Sequence, residues 1–132
     1  MIRISREDFD LCRMIREAKT GRTGGFVSFL GTVRDDGIEG MDLEVYEEVA
    51  EQELAAIRDE AFARFDILSV DIVHRVGQLK VGDQIVGIVV GASHRSAAFE
   101  ACEYIIDRIK ESVPIWKQEH TLSGSRWVPG EH

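Results

Sequence analysis

Two runs rich in β-branched residues restrict the fold of this chain more than any other feature. They span residues 68–76 and 84–90 and are joined through the segment GQLKVGD. The glycines of that segment, Gly77 and Gly82, favour a hairpin-like connection, so we predict two antiparallel strands. Further strands and helices surround this pair without regular β-α-β alternation. This order favours an α+β fold with a mainly antiparallel sheet.

Two long amphipathic helices flank these strands. The apolar residues of the first recur at spacings of four and three: Ala50, Leu54, Ile57, Ala61 and Phe65. The second begins near Ser96 and has a similar apolar stripe: Phe99, Cys102, Ile105, Ile106 and Ile109. Pro114 has no amide hydrogen for a helical hydrogen bond, so the second helix should end there.

The N-terminal part predicts a short strand, a helix and two further strands. Ser5 and Asp8 resemble a capping box, which predicts a first helix of about a dozen residues. After the glycine-rich TGRTGG, the stretch GFVSFLGTV is typical of a strand that is buried on both faces or lies at a subunit contact. MDLEVY alternates as a strand, and the tail after Pro114 is expected to be irregular or briefly extended. We expect one domain over residues 1–132.

The composition argues against several classes of protein. A net charge of -8 repels nucleic-acid backbones, so any anion site must be local. The N-terminus does not resemble a signal peptide, and no stretch approaches the roughly 20 apolar residues of a membrane helix, which predicts a cytoplasmic protein without a membrane anchor. Cys12 and Cys102 are far apart, and Cys102 lies on the apolar helix stripe, which favours core packing.

His94 and Arg95 open the second long helix, where free amides and the helix dipole favour an anion. Basic residues are unfavourable at that position unless an anion offsets them. The alternative is that Ser93 caps the helix and the two basic side chains are merely solvated. The position of these residues therefore indicates an anion-binding role.

Lys110 and Lys117 lie on either side of Pro114 and Trp116. Each has a simpler explanation, because Lys110 complements the helix dipole and Lys117 can be an exposed charge with a buried stem. A turn at the proline, anchored by Trp116, would bring both amines to one pocket, where they could act as acids or stabilise an oxyanion.

Arg34 ends the apolar strand and either binds a ligand or pairs with Asp35 or Asp36 at the surface. His74 and His120 have no metal-motif spacing, so we expect structural or exposed histidines, no metal and no cofactor. The glycine fingerprints of nucleotide-binding loops and the GxSxG motif of hydrolases are also missing from the sequence.

Together these segments resemble the family of molybdopterin synthase large, catalytic subunits. The matching strings occur in the family's order between about Phe26 and Trp127: FLGTVRD, L-E-x-Y-E, IVHRVGQLKVGD, SHRSAAFEACEYIIDRIK, and VPIWKQE followed by RW. The combination of SHRxxAFEA with the later lysine and the P-x-W-K element is specific to this family.

The resemblance implies an α/β hammerhead type of fold and a homodimer with a small ubiquitin-like sulfur carrier at each end, forming a heterotetramer. The carrier's Gly-Gly tail ends in a thiocarboxylate and enters a pocket on the large subunit. Two such sulfurs convert cyclic pyranopterin monophosphate to the dithiolene of molybdopterin, a step of molybdenum cofactor biosynthesis.

The resemblance also assigns site residues. Lys110 and Lys117 match the family's catalytic lysines, and the resemblance does not assign a separate role to each. Arg34, His94 and Arg95 match the family's residues that bind the substrate anion. In the family the histidine and arginine come from the opposite protomer. Longer members have another arginine beyond the RW element, so Arg126 is the candidate to replace part of that tail.

Two other functions compete with this interpretation. A non-catalytic partner-binding subunit predicts that the basic residues scatter over the surface, whereas an enzyme predicts that they converge. A stand-alone phosphohydrolase is disfavoured because the sequence offers no carboxylate or histidine metal cluster.

Overall fold

The structure, a computed structural model, describes residues 1–121 and 124–128. It has three helices and eight strands in those ranges, in an α+β arrangement that confirms the predicted class. In chain order the elements are β1 (Ile2–Ser5), α1 (Leu11–Ala18), β2 (Gly25–Thr32), β3 (Gly40–Val45), α2 (Glu47–Arg64), β4 (Ser69–Arg75), β5 (Gly77–Lys80), β6 (Gln84–Ala92), α3 (Arg95–Ser112), β7 (Ile115–Thr121) and β8 (Gly124–Val128).

The strands form two four-stranded sheets. The first has the order β1-β4-β6-β2 and is antiparallel except for the parallel pair of β1 and β4. β4 and β6 are antiparallel neighbours, as predicted, but the segment between them is not a simple hairpin. It contains β5, which leaves the first sheet and pairs with β3 in the second. Gly77 and Gly82 have φ angles of 95° and 91°, and they permit the turns at either end of β5.

Strand β6 lies at the centre of the molecule, because each of its residues after Gln84 is buried. Alternate side chains point to opposite faces. Ile88 and its neighbours on one face belong to the main core, where α3 packs on β6 and β2. On the other face, Val89 joins a smaller cluster with Phe9 and Met14 beneath α1. Gly87 lies on this second face, and a Cβ atom there would approach the Phe9 ring to 2.5 Å.

The second sheet has the antiparallel order β5-β3-β7-β8. Its inner face contributes Met41, Leu43 and Ile115 to the main core. On its outer face, Tyr46 and Trp116 are exposed and form an edge-to-face pair with ring centroids 5.4 Å apart. The predicted tail after Pro114 is therefore more regular than expected, since it supplies two strands of this sheet.

In the N-terminal half one prediction was wrong, and one of the two alternatives given for β2 is excluded. Helix α1 has eight residues rather than about a dozen, and it is capped by Asp10, whose carboxylate accepts from the Arg13 amide at 3.1 Å. Ser5 instead bonds to Glu7 in the preceding bend. Strand β2 is not buried on both faces within the protomer. It is an edge strand with alternating exposure, and Leu30 is 40% exposed.

The end of α3 is as predicted. The helix stops at Ser112, and the Val113 amide donates to the Ile109 carbonyl as the last helical bond before Pro114. The chain then reverses into β7, so the residues on both sides of the proline lie against the same part of the core. This turn sets the geometry of the cavity described next.

Candidate functional site

A cavity of about 290 Å³ lies where the end of β2, the last turns of α3 and strand β7 meet. It contains three of the predicted site residues, Arg34, Lys110 and Lys117. The other lining residues are Phe29, Leu30, Gly31, Thr32, Asp36, Ile38, Met41, Ile85, Val86 and Glu119. The side chains are thus a mixture of apolar walls and a few charged groups, as is usual for small-molecule sites.

Lys117 reaches the cavity because of its position in β7. It is paired in register with Leu43, and Glu119 is paired with Met41, so Lys117 and Glu119 share the inner face of the sheet. Trp116 points to the outer face, where it packs on Tyr46. Strand alternation therefore places Trp116 on the opposite face of the sheet from Lys117, and its role as an anchor of the turn after Pro114 stays a prediction.

Lys110 lies in the last turn of α3, which is held against α2 by a polar network. Glu60 accepts from the Tyr104 hydroxyl at 2.6 Å and from Arg108 Nε at 3.0 Å. The hydrogen bond from Arg108, followed by that from Tyr104, holds the pKa of the Glu60 carboxyl below its ordinary value. These contacts fix the C-terminal part of α3, and with it the backbone of Lys110.

Arg34 follows β2 and forms an ion pair with Asp36, with 3.3 Å between Arg34 Nε and Asp36 Oδ2. Both side chains are largely exposed, at 79% and 57%. Both also line the cavity. The sequence left open whether Arg34 forms a surface ion pair or binds a ligand. In the structure Arg34 forms the ion pair and also lines the cavity.

Arg126 lies beside the cavity on β8, opposite Glu119 in register. Its Nε is 3.2 Å from Glu119 Oε1, and the Glu119 side chain is only 13% exposed. A role for the C-terminal tail beyond Val128 lies outside the described residues. Arg126 is thus linked to the cavity through a carboxylate rather than directly.

Of the two acidic residues that line the cavity, Glu119 was missed in the sequence, and Asp36 was considered only as a surface ion-pair partner of Arg34. The i, i+2 spacing of Lys117 and Glu119 on a strand was the available signal for Glu119, since it places both on one face. No local signal distinguished Asp36 from Asp35, because only the turn at Gly37 decides which carboxylate folds back onto Arg34.

His94 and Arg95 are exposed at the opposite end of α3 and do not line this cavity. Fifteen residues separate Arg95 from Lys110, which corresponds to about 22 Å along a helix. His94 occupies the N-cap position without a side-chain capping bond, so the alternative in which Ser93 caps the helix is not seen. Within one protomer, the two ends of α3 cannot serve one small ligand.

The other titratable candidates are His74, His120 and Cys102, and their contacts are structural. His74 is fully buried, its ring Nδ1 bonds the Arg75 carbonyl at 2.9 Å, and burial lowers its pKa to about 4. His120 bonds Asp42 at 2.7 Å and Ser125 at 2.9 Å. Cys102 is part of the core, as predicted, and burial raises the pKa of its thiol to about 11.

Residues 1–121 and 124–128 contain neither a candidate metal site nor a candidate membrane-spanning helix. These residues include no group of three or more histidine, cysteine, aspartate or glutamate side chains that could hold a metal ion. None of the helices there is long and apolar enough to cross a membrane.

The fold and the cavity define a class: an α+β protein in which lysine and arginine side chains from separate elements line a partly apolar cavity. Such a site suits a reaction of anionic substrates in which lysines donate protons or stabilise negative charge. The chain belongs to the MoaE protein family, whose family model matches residues 4–112.

Relatives with known names agree with this family. The chain is 43% identical to the molybdopterin synthase catalytic subunit of Pyrococcus abyssi over 129 residues, covering 95% of this chain and 87% of the relative. It is 44% identical to the molybdopterin synthase catalytic subunit of Ralstonia nicotianae over 133 residues, covering 96% and 76%.

Solved structures show the same fold. The molybdopterin biosynthesis MoaE protein of Burkholderia ambifaria superposes with a TM-score of 0.88 at 41% identity, covering 99% of this chain and 90% of that one. Molybdopterin synthase from Staphylococcus aureus superposes with a TM-score of 0.88 at 38% identity, covering 95% and 94%. The family predicted from the sequence is therefore confirmed.

Proposed function

We propose that this chain is the catalytic subunit of a molybdopterin synthase. It transfers sulfur from the C-terminal thiocarboxylate of a small ubiquitin-like carrier protein to cyclic pyranopterin monophosphate and so forms the dithiolene of molybdopterin. One observation carries the proposal: Arg34, Lys110 and Lys117 converge in a single cavity of a chain whose relatives have this name. The rival, a non-catalytic partner-binding subunit, predicts that these cations scatter.

The charges of the cavity suit the two reactants. A thiocarboxylate and a phosphate are both anionic, and a chain with net charge -8 needs a local concentration of cations to hold them together. Arg34 is suited to the phosphate because its guanidinium can donate two parallel hydrogen bonds. Lys110 and Lys117 are suited to stabilising the oxyanion and protonating the leaving oxygen as sulfur adds. The carrier supplies the sulfur nucleophile, so the chain needs none.

The architecture and partners form part of the same proposal. We infer an α/β hammerhead type of fold with two long amphipathic helices, in one domain over residues 1–132, supported by a main core that draws on both sheets and on α2 and α3. Another solved structure with a similar fold, from Helicobacter pylori 26695, is a complex of subunits 1 and 2 of the molybdopterin-converting factor. A small carrier subunit as partner of this chain fits that assembly. The cytoplasmic location stays a prediction.

His94 and Arg95 enter the site in this proposal through a second copy of the chain. They are about 22 Å along α3 from Lys110, too far to contact the same phosphate within one protomer. Strand β2 is an edge of the first sheet, and Leu30 on β2 and Phe99 on α3 are exposed at 40% and 60%. A homodimer that buries these apolar side chains supports a site completed by the partner's histidine and arginine.

Subunit complementation tests the activity and the shared site together. Lys117→Ala and Arg95→Ala are each expected to lose most sulfur transfer. If each site takes Lys117 from one protomer and Arg95 from the other, a mixed dimer has one intact site. A 1:1 exchange of the two variants should then restore about a quarter of the wild-type activity. The assay is molybdopterin formation with a thiocarboxylated carrier and the cyclic pterin phosphate.

The controls separate the possible failures. Sedimentation should give twice the 14.8 kDa mass for both variants and for the mixture. Mixed dimers that stay inactive, when each variant alone is folded and dimeric, would contradict a site that takes Lys117 from one protomer and Arg95 from the other. A wild-type protein that binds the carrier and yet forms no molybdopterin would contradict the catalytic function and favour the partner-binding alternative.

A further inference from the structure

The cationic cavity contains its own anions, Asp36 and Glu119. Three cationic and two carboxylate side chains line it, so one net positive charge remains. Glu119 is already engaged by Arg126 at 3.2 Å. Asp36 differs, because its partner is Arg34, one of the three cations that line the cavity. Asp36 therefore neutralises the group that is best suited to bind a phosphate.

The geometry of the turn places Asp36 against Arg34. Gly37 has a φ angle of 78°, which lies in the left-handed region that favours glycine, so the chain turns directly after Asp36. The carboxylate thereby comes within 3.3 Å of Arg34 Nε. Its neighbour Asp35 carries the same charge but does not line the cavity. The two aspartates are a matched pair, one inside the site and one outside.

The ion pair contributes little to stability, since the two side chains are 79% and 57% exposed. Many exposed pairs of this kind contribute no measurable stability. A contact this weak can be exchanged for another anion at small cost. A phosphate group bound at Arg34 can also contact Lys110 and Lys117, which line the same cavity, so it can displace the single carboxylate of Asp36 from the guanidinium.

We propose that Asp36 is an internal competitor for the phosphate of the substrate: it holds Arg34 in the empty cavity and is displaced when the anion binds. The identity of that anion as a pterin phosphate rests on the proposed function. Because substrate and product both carry the phosphate, the competitor weakens both complexes and favours release of product. Asp36 thus limits the affinity for the phosphate and is not a catalytic residue.

The test is a titration of the full chain with inorganic phosphate at low ionic strength, following the NMR signal of the Arg34 Nε–H group. Asp36→Asn should bind phosphate about twofold to fivefold more tightly than wild type, the range that corresponds to an exposed ion pair. Asp35→Asn should bind like wild type. In an Arg34→Ala background, Asp36→Asn should give no gain in affinity, measured by calorimetry, because the competed group is missing.

The inference would be overturned by no tighter binding by Asp36→Asn, by an equal gain from Asp35→Asn, or by a gain that persists without Arg34. An equal gain from Asp35→Asn, or a gain that persists without Arg34, would indicate that removal of any negative charge strengthens phosphate binding. An Arg34 signal that phosphate does not shift in any variant would also overturn it. The titration needs neither carrier nor pterin, so its outcome is independent of whether the chain makes molybdopterin. In the synthase assay, Asp36→Asn should lower KM for the pterin phosphate, with a smaller change in kcat.

Discussion

The two sheets differ in how they are covered. The first is packed on both faces around β6, by α3 on one side and by α1 on the other. The second packs only its inner face on the core, and its outer face exposes Trp116 and Trp127. The cavity lies between them and takes Arg34 from the end of β2 and Lys117 from β7. The first sheet can therefore account for most of the free energy of folding, while the second supplies side chains to a cavity that solvent can reach.

The consequence is a separation of roles that substitutions can test. Buried apolar area dominates the free energy of folding, whereas a partly exposed lysine contributes to the reaction with little effect on folding. Substitutions in the two sheets should therefore affect different measurements. The three predictions below run from the largest expected effect to the smallest.

Ile88→Ala in the centre of β6 should destabilise the protein by about 2–5 kcal/mol, because it removes a side chain with no exposed surface and leaves a cavity. Urea unfolding measures this loss. Sulfur transfer per folded molecule should stay near the wild-type level. Val81→Ala is the matched control, since Val81 is 39% exposed and its loss should cost less than about 0.5 kcal/mol. Equal effects of the two substitutions would contradict the packing described for β6.

Lys117→Ala should lower molybdopterin formation by about 100-fold or more, which corresponds to roughly 3 kcal/mol of transition-state stabilisation. Single-turnover assays with loaded carrier measure it. Lys80→Ala is a suitable control, because Lys80 lies on β5 of the same sheet, is exposed and does not line the cavity. Both variants should melt near the wild-type temperature. A near-normal rate for Lys117→Ala would leave Lys110 as the sole candidate for the acid.

His74 makes the first sheet sensitive to acid. Burial lowers its pKa from 6.5 to about 4, so the folded state prefers the neutral ring. The unfolded chain binds the extra proton, and stability is therefore present above about pH 6.5 and is lost as the pH falls towards 4. The loss over that window should be on the order of 3 kcal/mol.

His74→Leu isolates this contribution. Urea unfolding of both proteins across the window should show a shallower loss of stability in the variant, because the carboxylates titrate in both and only the histidine differs. Parallel curves for the two proteins would show that His74 is not the group responsible. Since His74 lies in β4 and not at the cavity, the result bears on the first sheet alone.

Local chemistry determined most of the elements. The β-branched runs, the apolar stripes of α2 and α3 except for the exposed Phe99, the stop at Pro114 and the core position of Cys102 all followed from residue type and spacing. The sequence also identified Arg34, Lys110 and Lys117 as basic residues in suitable places. These features depend on residues within a few positions of one another, for which periodicity and backbone propensity are informative.

Only the tertiary structure decided which segments meet. It placed β5 beside β3 rather than in a hairpin with its neighbours, and it made the tail after Pro114 into two strands of the second sheet. It brought Arg34, Lys110 and Lys117 into one cavity with Asp36 and Glu119, and it left Arg95 at the far end of α3. The physical reason is that a strand's alternation shows which face is buried but not which edge it pairs with. Pairing between distant segments depends on the packing of the whole chain, which no local pattern encodes.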